Sequence, residues 1–172
     1  VDAIVHVVRC FEDPDIQHVM GTVDPVRDRE IINIELGLAD LASVEKRLDK
    51  AARTAKSGDP QAKVEQRLLE AVRDALAAGR PARVVVPAAE EAAAFRGFNL
   101  LTSKPVLYAA NVNEEEVAGG NAMVSALADA LAADNETAEV VTFSAKVEAE
   151  LAELAPEDRA EFLGSLGLNE SG

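Results

Sequence analysis

The chain has 172 residues, 48% of them apolar and 28% charged, with a formal net charge of −14. That suits one large globular domain, or one domain carrying a smaller insert, and excludes a disordered polymer. A single cysteine, Cys10, excludes a disulfide scaffold and a cysteine-rich zinc site, and no apolar run reaches the ~18–20 residues that cross a bilayer.

The opening run VDAIVHVVRCF has no basic leader, which points to a cytoplasmic protein. It begins inside a strand-like stretch without Met, as a fragment would. Ala3–Phe11 is β-branched and almost continuously apolar, the pattern of a strand buried on both faces of a parallel sheet, and Glu12-Asp-Pro-Asp15 breaks it. Asp24-Pro25 supplies an N-cap and a first helical residue, with Asp28 as a competing start. Apolar residues then recur at Ile31, Ile34, Leu38, Leu41, Leu48, Ala52 and Ala55, a three- and four-residue spacing broken only at Glu45. Ser57-Gly58 stops that helix and Asp59-Pro60 starts another, which carries Leu69, Val72 and Leu76 as far as Gly79. So tight a turn forces the two helices antiparallel, an arm of ~40 Å if the first is continuous.

Arg83–Pro87 reads as extended and Ala88–Phe95 as a short helix. Lys104–Ala110 is a second buried strand ending in the polar run Asn111-Val-Asn-Glu-Glu-Glu116, and residues 121–133 form an amphipathic helix. Glu139–Phe143 is a third strand, and residues 147–154 and 156–166 are helical. Strand, helical insertion, strand, helix, strand, helix implies a parallel sheet with its ligand groups at the carboxyl ends of the strands.

Charge is distributed unevenly. Residues 24–97 hold 13 Lys+Arg against 13 Asp+Glu, while the rest of the chain holds 4 against 18. The acidic body repels polyanions. Residues 46–67, with seven basic and three acidic side chains, are where a polyanion contact is to be sought, unless they are a solvated face with ordinary ion pairs.

Two polar turns sit where an open α/β sheet binds ligands: Asn111-Val-Asn-Glu114 and Ser144-Ala-Lys-Val-Glu148. An Asn amide can lock the turns together and face a purine edge, a carboxylate two or three residues on can accept from base N–H groups, and the backbone of Ser144 and Ala145 can bond an exocyclic group. His6 lies mid-strand and reads as a core histidine. Cys10 reads as a small buried hydrophobe, with oxidation sensing as the alternative.

With these turns in place the sequence resembles the Obg-like ATPases of the YchF group, translation-factor-type P-loop proteins. The resemblance rests on DAIVHVVRCFED at 2–13, HVMGTVDPVRDREIINIELGLADL at 18–41, FNLLTSKPVLYAANVNEEE at 98–116, FSAKVEAELAEL at 143–154 and EDRAEFLGSLGL at 157–168. It implies an α/β fold, a partial G-domain parallel sheet interrupted by an antiparallel α-helical (coiled-coil) hairpin, with residues 1–23 and 98–172 as the G domain and 24–97 as the insertion. It further implies ATP hydrolysis with ATP preferred over GTP, since the guanine-reading Asp of an NKxD turn is replaced by Glu114 and its Lys by Val112. Phe11, Asn111, Val112, Glu114, Ser144 and Ala145 would hold the nucleotide, and His18 would orient or deprotonate the attacking water, unless it is a loop histidine bonded to backbone.

ATP and Mg2+ would be the cofactors, with the metal ligands outside this chain, because no GxxxxGK[ST] or DxxG occurs in it. Alone, the chain would be inactive. The ribosome or its RNA would be met through Lys46, Arg47, Lys50, Arg53 and Lys56; no DNA or membrane contact is expected. Two alternatives stand beside this reading: a helical-hairpin interaction module without nucleotide function, and a GTPase with an altered base pocket.

Overall fold

The computed structural model describes residues 1–134 and 136–168. They form two compact units, Val1–Ile4 with Glu30–Pro105, and Val5–Arg29 with the chain from Val106 onward.

The first unit is helical. α1 (Pro25–Ala55) starts on an Asp24 cap, whose Oδ1 accepts the N–H groups of Val26 and Arg27 at 3.1 Å each, so Asp24 and not Asp28 opens the helix. Its 31 residues make an unbroken rod of ~46 Å. Gly58, at φ +92°, takes the left-handed turn that β-carbon sterics disfavour in most other residues, and Asp59 then caps α2 (Pro60–Ala77) through the N–H groups of Gln61 and Ala62. Val44 and Ala51 of α1 pack with Leu68, Leu69, Val72 and Leu76 of α2 in one core that also takes in Phe95, Phe98 and Leu100. Arg47 reaching Glu65 across it fixes the pair as antiparallel.

After α2, residues 82–84 form a 3-10 turn where an extended stretch is expected, and the alanine-rich segment begins as a 3-10 turn at 89–91 before α3 (Ala92–Arg96). The Ala82 N–H is held by the Thr102 hydroxyl at 3.0 Å, a contact across 20 residues that fixes the chain close to residue 102.

The second unit carries the sheet, β1 (Ile4–Arg9), β2 (Val106–Asn111) and β3 (Glu139–Phe143), in the order β1-β2-β3. β2 and β3 are parallel, with Leu107 opposite Glu139 and Asn111 opposite Phe143. β1 runs the same way, since Ile4 N–H donates to Pro105 and Cys10 N–H to Asn111. α4 (Ala122–Ala133) covers one face, where Leu127 and Leu131 meet Val8, Cys10, Tyr108 and Ala110. α5 (Ala145–Glu153) and α6 (Pro156–Ser165) share a smaller core of Val147, Leu151 and Leu163.

β1 departs from the doubly buried strand expected of it. Successive side chains face opposite sides. α4 covers the side bearing Val8 and Cys10, while Val5 and Val7 remain 60% and 59% exposed. No helix of the described residues is long and apolar enough to cross a membrane.

Candidate functional site

Parallel register decides where the two polar turns go. With Asn111 opposite Phe143, β2 and β3 end side by side, and their next residues leave the same edge of the sheet. The Val112 N–H closes this edge by donating to the Phe143 carbonyl at 2.9 Å. Two residues beyond Phe143, the Ala145 N–H donates to Oδ1 of Asn111 at 2.9 Å. The Asn111 amide is therefore the lock between the turns, and because its oxygen faces Ala145, its Nδ2 is the donor it offers elsewhere.

Ser144 is buried and serves as N-cap of α5, its hydroxyl accepting from the Val147 N–H at 3.5 Å. Glu114 opens a 3-10 turn (Glu114–Glu116), and its carboxylate accepts from the Lys146 ammonium at 2.8 Å. That contact raises the Lys146 pKa, with Glu150 adding to the effect.

Phe11 lies two residues past β1. The Arg9 guanidinium stacks on its ring, 4.6 Å from the centroid, and bonds the carbonyls of Phe11 and Ile16 at 3.1 and 3.0 Å, so Arg9 shapes the loop that carries Phe11. Cys10 is fully buried beside it. Burial, and then Glu116, pushes its thiol up to about 11, so it is protonated at neutral pH and behaves as a small apolar side chain.

His18 uses both ring nitrogens. Nδ1 accepts from the Met20 N–H at 3.1 Å and Nε2 faces Asp28 Oδ2 at 2.7 Å, an arrangement that puts the ring proton on Nε2. Arg27 in turn holds the other Asp28 oxygen. The ring is thus fixed between its own loop and the first turn of α1. His6, half-buried, meets the Tyr108 ring at 5.3 Å, as suits a core histidine; burial and the Arg29 charge lower its pKa.

Several organising residues carry no local signal strong enough to single them out. Asn121 donates from Nδ2 to the Cys10 carbonyl at 2.7 Å while its Oδ1 accepts from Met123 and Val124 at 3.0 Å each, joining the end of β1 to the start of α4. An Asn after Gly-Gly and before an apolar run reads as a helix cap, but its second bond spans 111 residues. At the opposite end of the sheet, in the loop before β3, Asp134 and Glu136 receive Arg29.

On the helical unit, Lys46, Lys50, Arg53 and Lys56 are exposed. Lys46, Lys50 and Arg53, at i, i+4 and i+7, form one stripe. Arg47 is engaged within the fold: it pairs with Glu65 at 2.8 Å, bonds the Gly97 carbonyl at 2.9 Å and stacks on Phe98. Among the described residues no group of three or more His, Cys, Asp or Glu side chains is arranged to hold a metal ion.

No family model matches the chain. It is 46% identical over 174 residues to the ribosome-binding ATPase YchF of Bacillus subtilis, covering 100% of this chain and 47% of that protein. It is 44% identical over 171 residues to the protein of the same name from Haemophilus ducreyi, covering 99% of this chain and 46% of the relative. A solved structure titled as the Schizosaccharomyces pombe YchF GTPase superposes with a TM-score of 0.84 at 30% identity, over 99% of this chain and 47% of that one. The chain thus spans about half the length of the relatives it matches.

Proposed function

The chain belongs to the YchF family over the half of that family's length that it spans, and we propose that it is the base-recognition part and helical arm of a cytoplasmic, ribosome-associated, ATP-hydrolysing P-loop protein. In this reading residues 1–23 and 98–172 are G domain and 24–97 the insertion, with Phe98 and Leu100 packing onto the helices.

The observation that carries it is the Asn111 lock. Adenine presents an amino donor at N6 and acceptors at N1 and N7, whereas guanine presents an acceptor at O6 and a donor at N1. The backbone donor that would answer guanine O6 is the Ala145 N–H, and it is already committed to Asn111. The Val112 N–H is committed to Phe143, so Val112 can answer a base only through its carbonyl, which suits the adenine amino group. Asn111 Nδ2 can donate to N7, and Phe11 would pack on the ring. Ser144 holds the start of α5 so that these groups stay in register.

The residues present fit a purine and not its phosphates. Neither a phosphate-cradling loop nor a magnesium ligand set is assigned to them, and Mg2+, when bound elsewhere in the protein, would neutralise phosphate charge. His18 would orient the attacking water from Nδ1 after giving up the Met20 N–H, with Asp28 continuing to fix the ring.

The deciding measurement is competition of ATP and GTP for a fluorescent nucleotide on the full-length protein. ATP should compete at least about tenfold better, the ~1.4 kcal/mol that one unanswered polar group on guanine would cost. Equal or tighter GTP binding would discard the adenine reading.

The arm would meet ribosomal RNA through Lys46, Lys50, Arg53 and Lys56, since Arg47 is held by Glu65, Gly97 and Phe98. Reversing Lys46, Lys50 and Arg53 to Glu should weaken co-sedimentation with ribosomes and lower the slope of log affinity against log salt by about 2. An unchanged slope would remove the arm from the RNA contact.

A further inference from the structure

We propose that a cavity on the helical unit, bordered by Arg47, takes one unpaired base of a single-stranded RNA whose phosphates follow the basic stripe of α1. The inference rests on the RNA reading of the arm and gives Arg47 a part in it that charge alone does not supply.

The cavity has a volume of about 200 Å³ and is lined by α1, α2, α3 and the Gly97-Phe98 turn. Sites for whole small molecules run to about 300–1,000 Å³, so this one has room for a single planar ring without its sugar and phosphate. Val64, Ala94 and Phe98 give it apolar walls, while Arg47, Gln61 and Glu65 give it polar ones. That mixture suits a heteroaromatic ring with a polar edge.

Arg47 is held as a stacking surface. One face of its guanidinium lies on the Phe98 ring, 4.9 Å from the centroid, and Phe98 is itself buried against Phe95 at 5.9 Å between rings. Nε donates to Glu65 and Nη1 to the Gly97 carbonyl, which fixes the plane. The side chain still keeps 43% of its surface exposed. What remains open is the face opposite Phe98, and a guanidinium plane is a surface on which unstacked RNA bases settle.

The groups around that face define which base fits. Glu65 gives Oε1 to Arg47 and keeps Oε2 as an acceptor, and the Gln61 amide adds a donor. Cytosine answers the pair with its N4 amino group and N3 lone pair, whereas uracil turns O4 toward the carboxylate. Lys50, one turn on from Arg47, and Arg96, next to Gly97, are exposed and carry the charge that a phosphate backbone requires.

The test is binding of fluorescein-labelled oligocytidylate and oligouridylate of equal length to the full-length protein, read by anisotropy, for the wild type, Arg47→Lys and Glu65→Gln. Pyrimidine oligomers keep the purine turns out of the measurement. The wild type should prefer oligocytidylate by about three- to tenfold, the effect of one answered polar edge. Arg47→Lys keeps the charge and loses the plane, so it should bind oligocytidylate about fivefold more weakly with an unchanged salt slope. Glu65→Gln still accepts from Arg47 Nε, and its amide can turn either oxygen or NH2 to a base, so it should bind both oligomers without preference. No preference in the wild type, a preference that survives in Glu65→Gln, or full affinity in Arg47→Lys overturns the inference and leaves the RNA reading of the arm standing. Weaker ribosome co-sedimentation of Arg47→Lys with unchanged oligomer binding also overturns it, because the cavity then takes a protein side chain. A wild type that binds neither oligomer overturns the RNA reading of the arm, and the inference with it.

Discussion

Asp40→Ala should destabilise the helical unit by about 3–5 kcal/mol, the summed cost of leaving three hydrogen-bond donors without the carboxylate that accepts from them. Asp40 is only 4% exposed, midway along α1. One carboxylate oxygen accepts the Leu101 N–H at 2.9 Å, and the other accepts the Thr102 N–H at 2.7 Å and the Thr102 hydroxyl at 2.6 Å. The hydroxyl oxygen in turn accepts the Ala82 N–H. Removing the carboxylate leaves two backbone donors and a hydroxyl without their acceptor, and the last two are buried. Asn in its place keeps one acceptor oxygen but turns an NH2 group toward existing donors, so Asp40→Asn should cost about 2 kcal/mol. Thr102→Val, which strands the Ala82 N–H, should cost about 1–3 kcal/mol. The check is denaturant unfolding together with hydrogen exchange at Leu101 and Thr102. A loss below about 1 kcal/mol for Asp40→Ala, with both amides still protected, would show that the helices hold this segment without the carboxylate.

That network marks the limit of what the sequence discloses. Caps and breakers act within a few residues, so Asp24-Pro25 and Gly58 with Asp59-Pro60 announce the helix ends they make. β1 and β3 are legible as β-branched runs and β2 as a short apolar one, and the parallel arrangement follows from their alternation with helices. The candidate site is legible to the same extent: the residue types of Asn111 and Ser144 and their places after strands suggest a shared pocket, and Asn111 does bond the residue after Ser144. What remains hidden is pairing over long separations. Nothing local joins Asp40 to Thr102, Arg29 to Asp134 or Glu114 to Lys146, because each pair meets only when the sheet or hairpin has formed. The one-sided burial of β1 is hidden for the same reason, as strand composition reports what a face tolerates and not what covers it.

Arg29 provides the second large effect, and its sign structure is more informative than its size. The side chain is 5% exposed; its Nη2 meets Asp134 and lies 3.5 Å from Glu136, while Nε and Nη1 have no hydrogen-bond partner among the described residues. Burial works against the charged guanidinium, yet the bond to Asp134 and the acidic surroundings leave its pKa above the usual value. Arg29→Met keeps much of the volume and removes the charge. Asp134, half exposed, then recovers water, but Glu136 keeps only 11% exposure and loses the nearby cation. Glu136 also accepts the Tyr108 hydroxyl at 3.3 Å. The expected cost is about 3–5 kcal/mol, and Arg29→Met combined with Glu136→Gln should recover part of it, since both charges of the pair are then removed. A second readout separates charge from packing. His6 has its pKa lowered by burial and by Arg29, against an opposing pull from Glu136. The native state therefore takes up the His6 proton less readily than the unfolded chain, and stability declines as pH falls below about 6.5, the ordinary histidine value. In Arg29→Met the His6 pKa should rise and this acid-side decline should shrink, which histidine NMR titration and unfolding at pH 5.5 and 7.5 would register. Loss of stability without any movement of the His6 titration would assign Arg29 to packing alone.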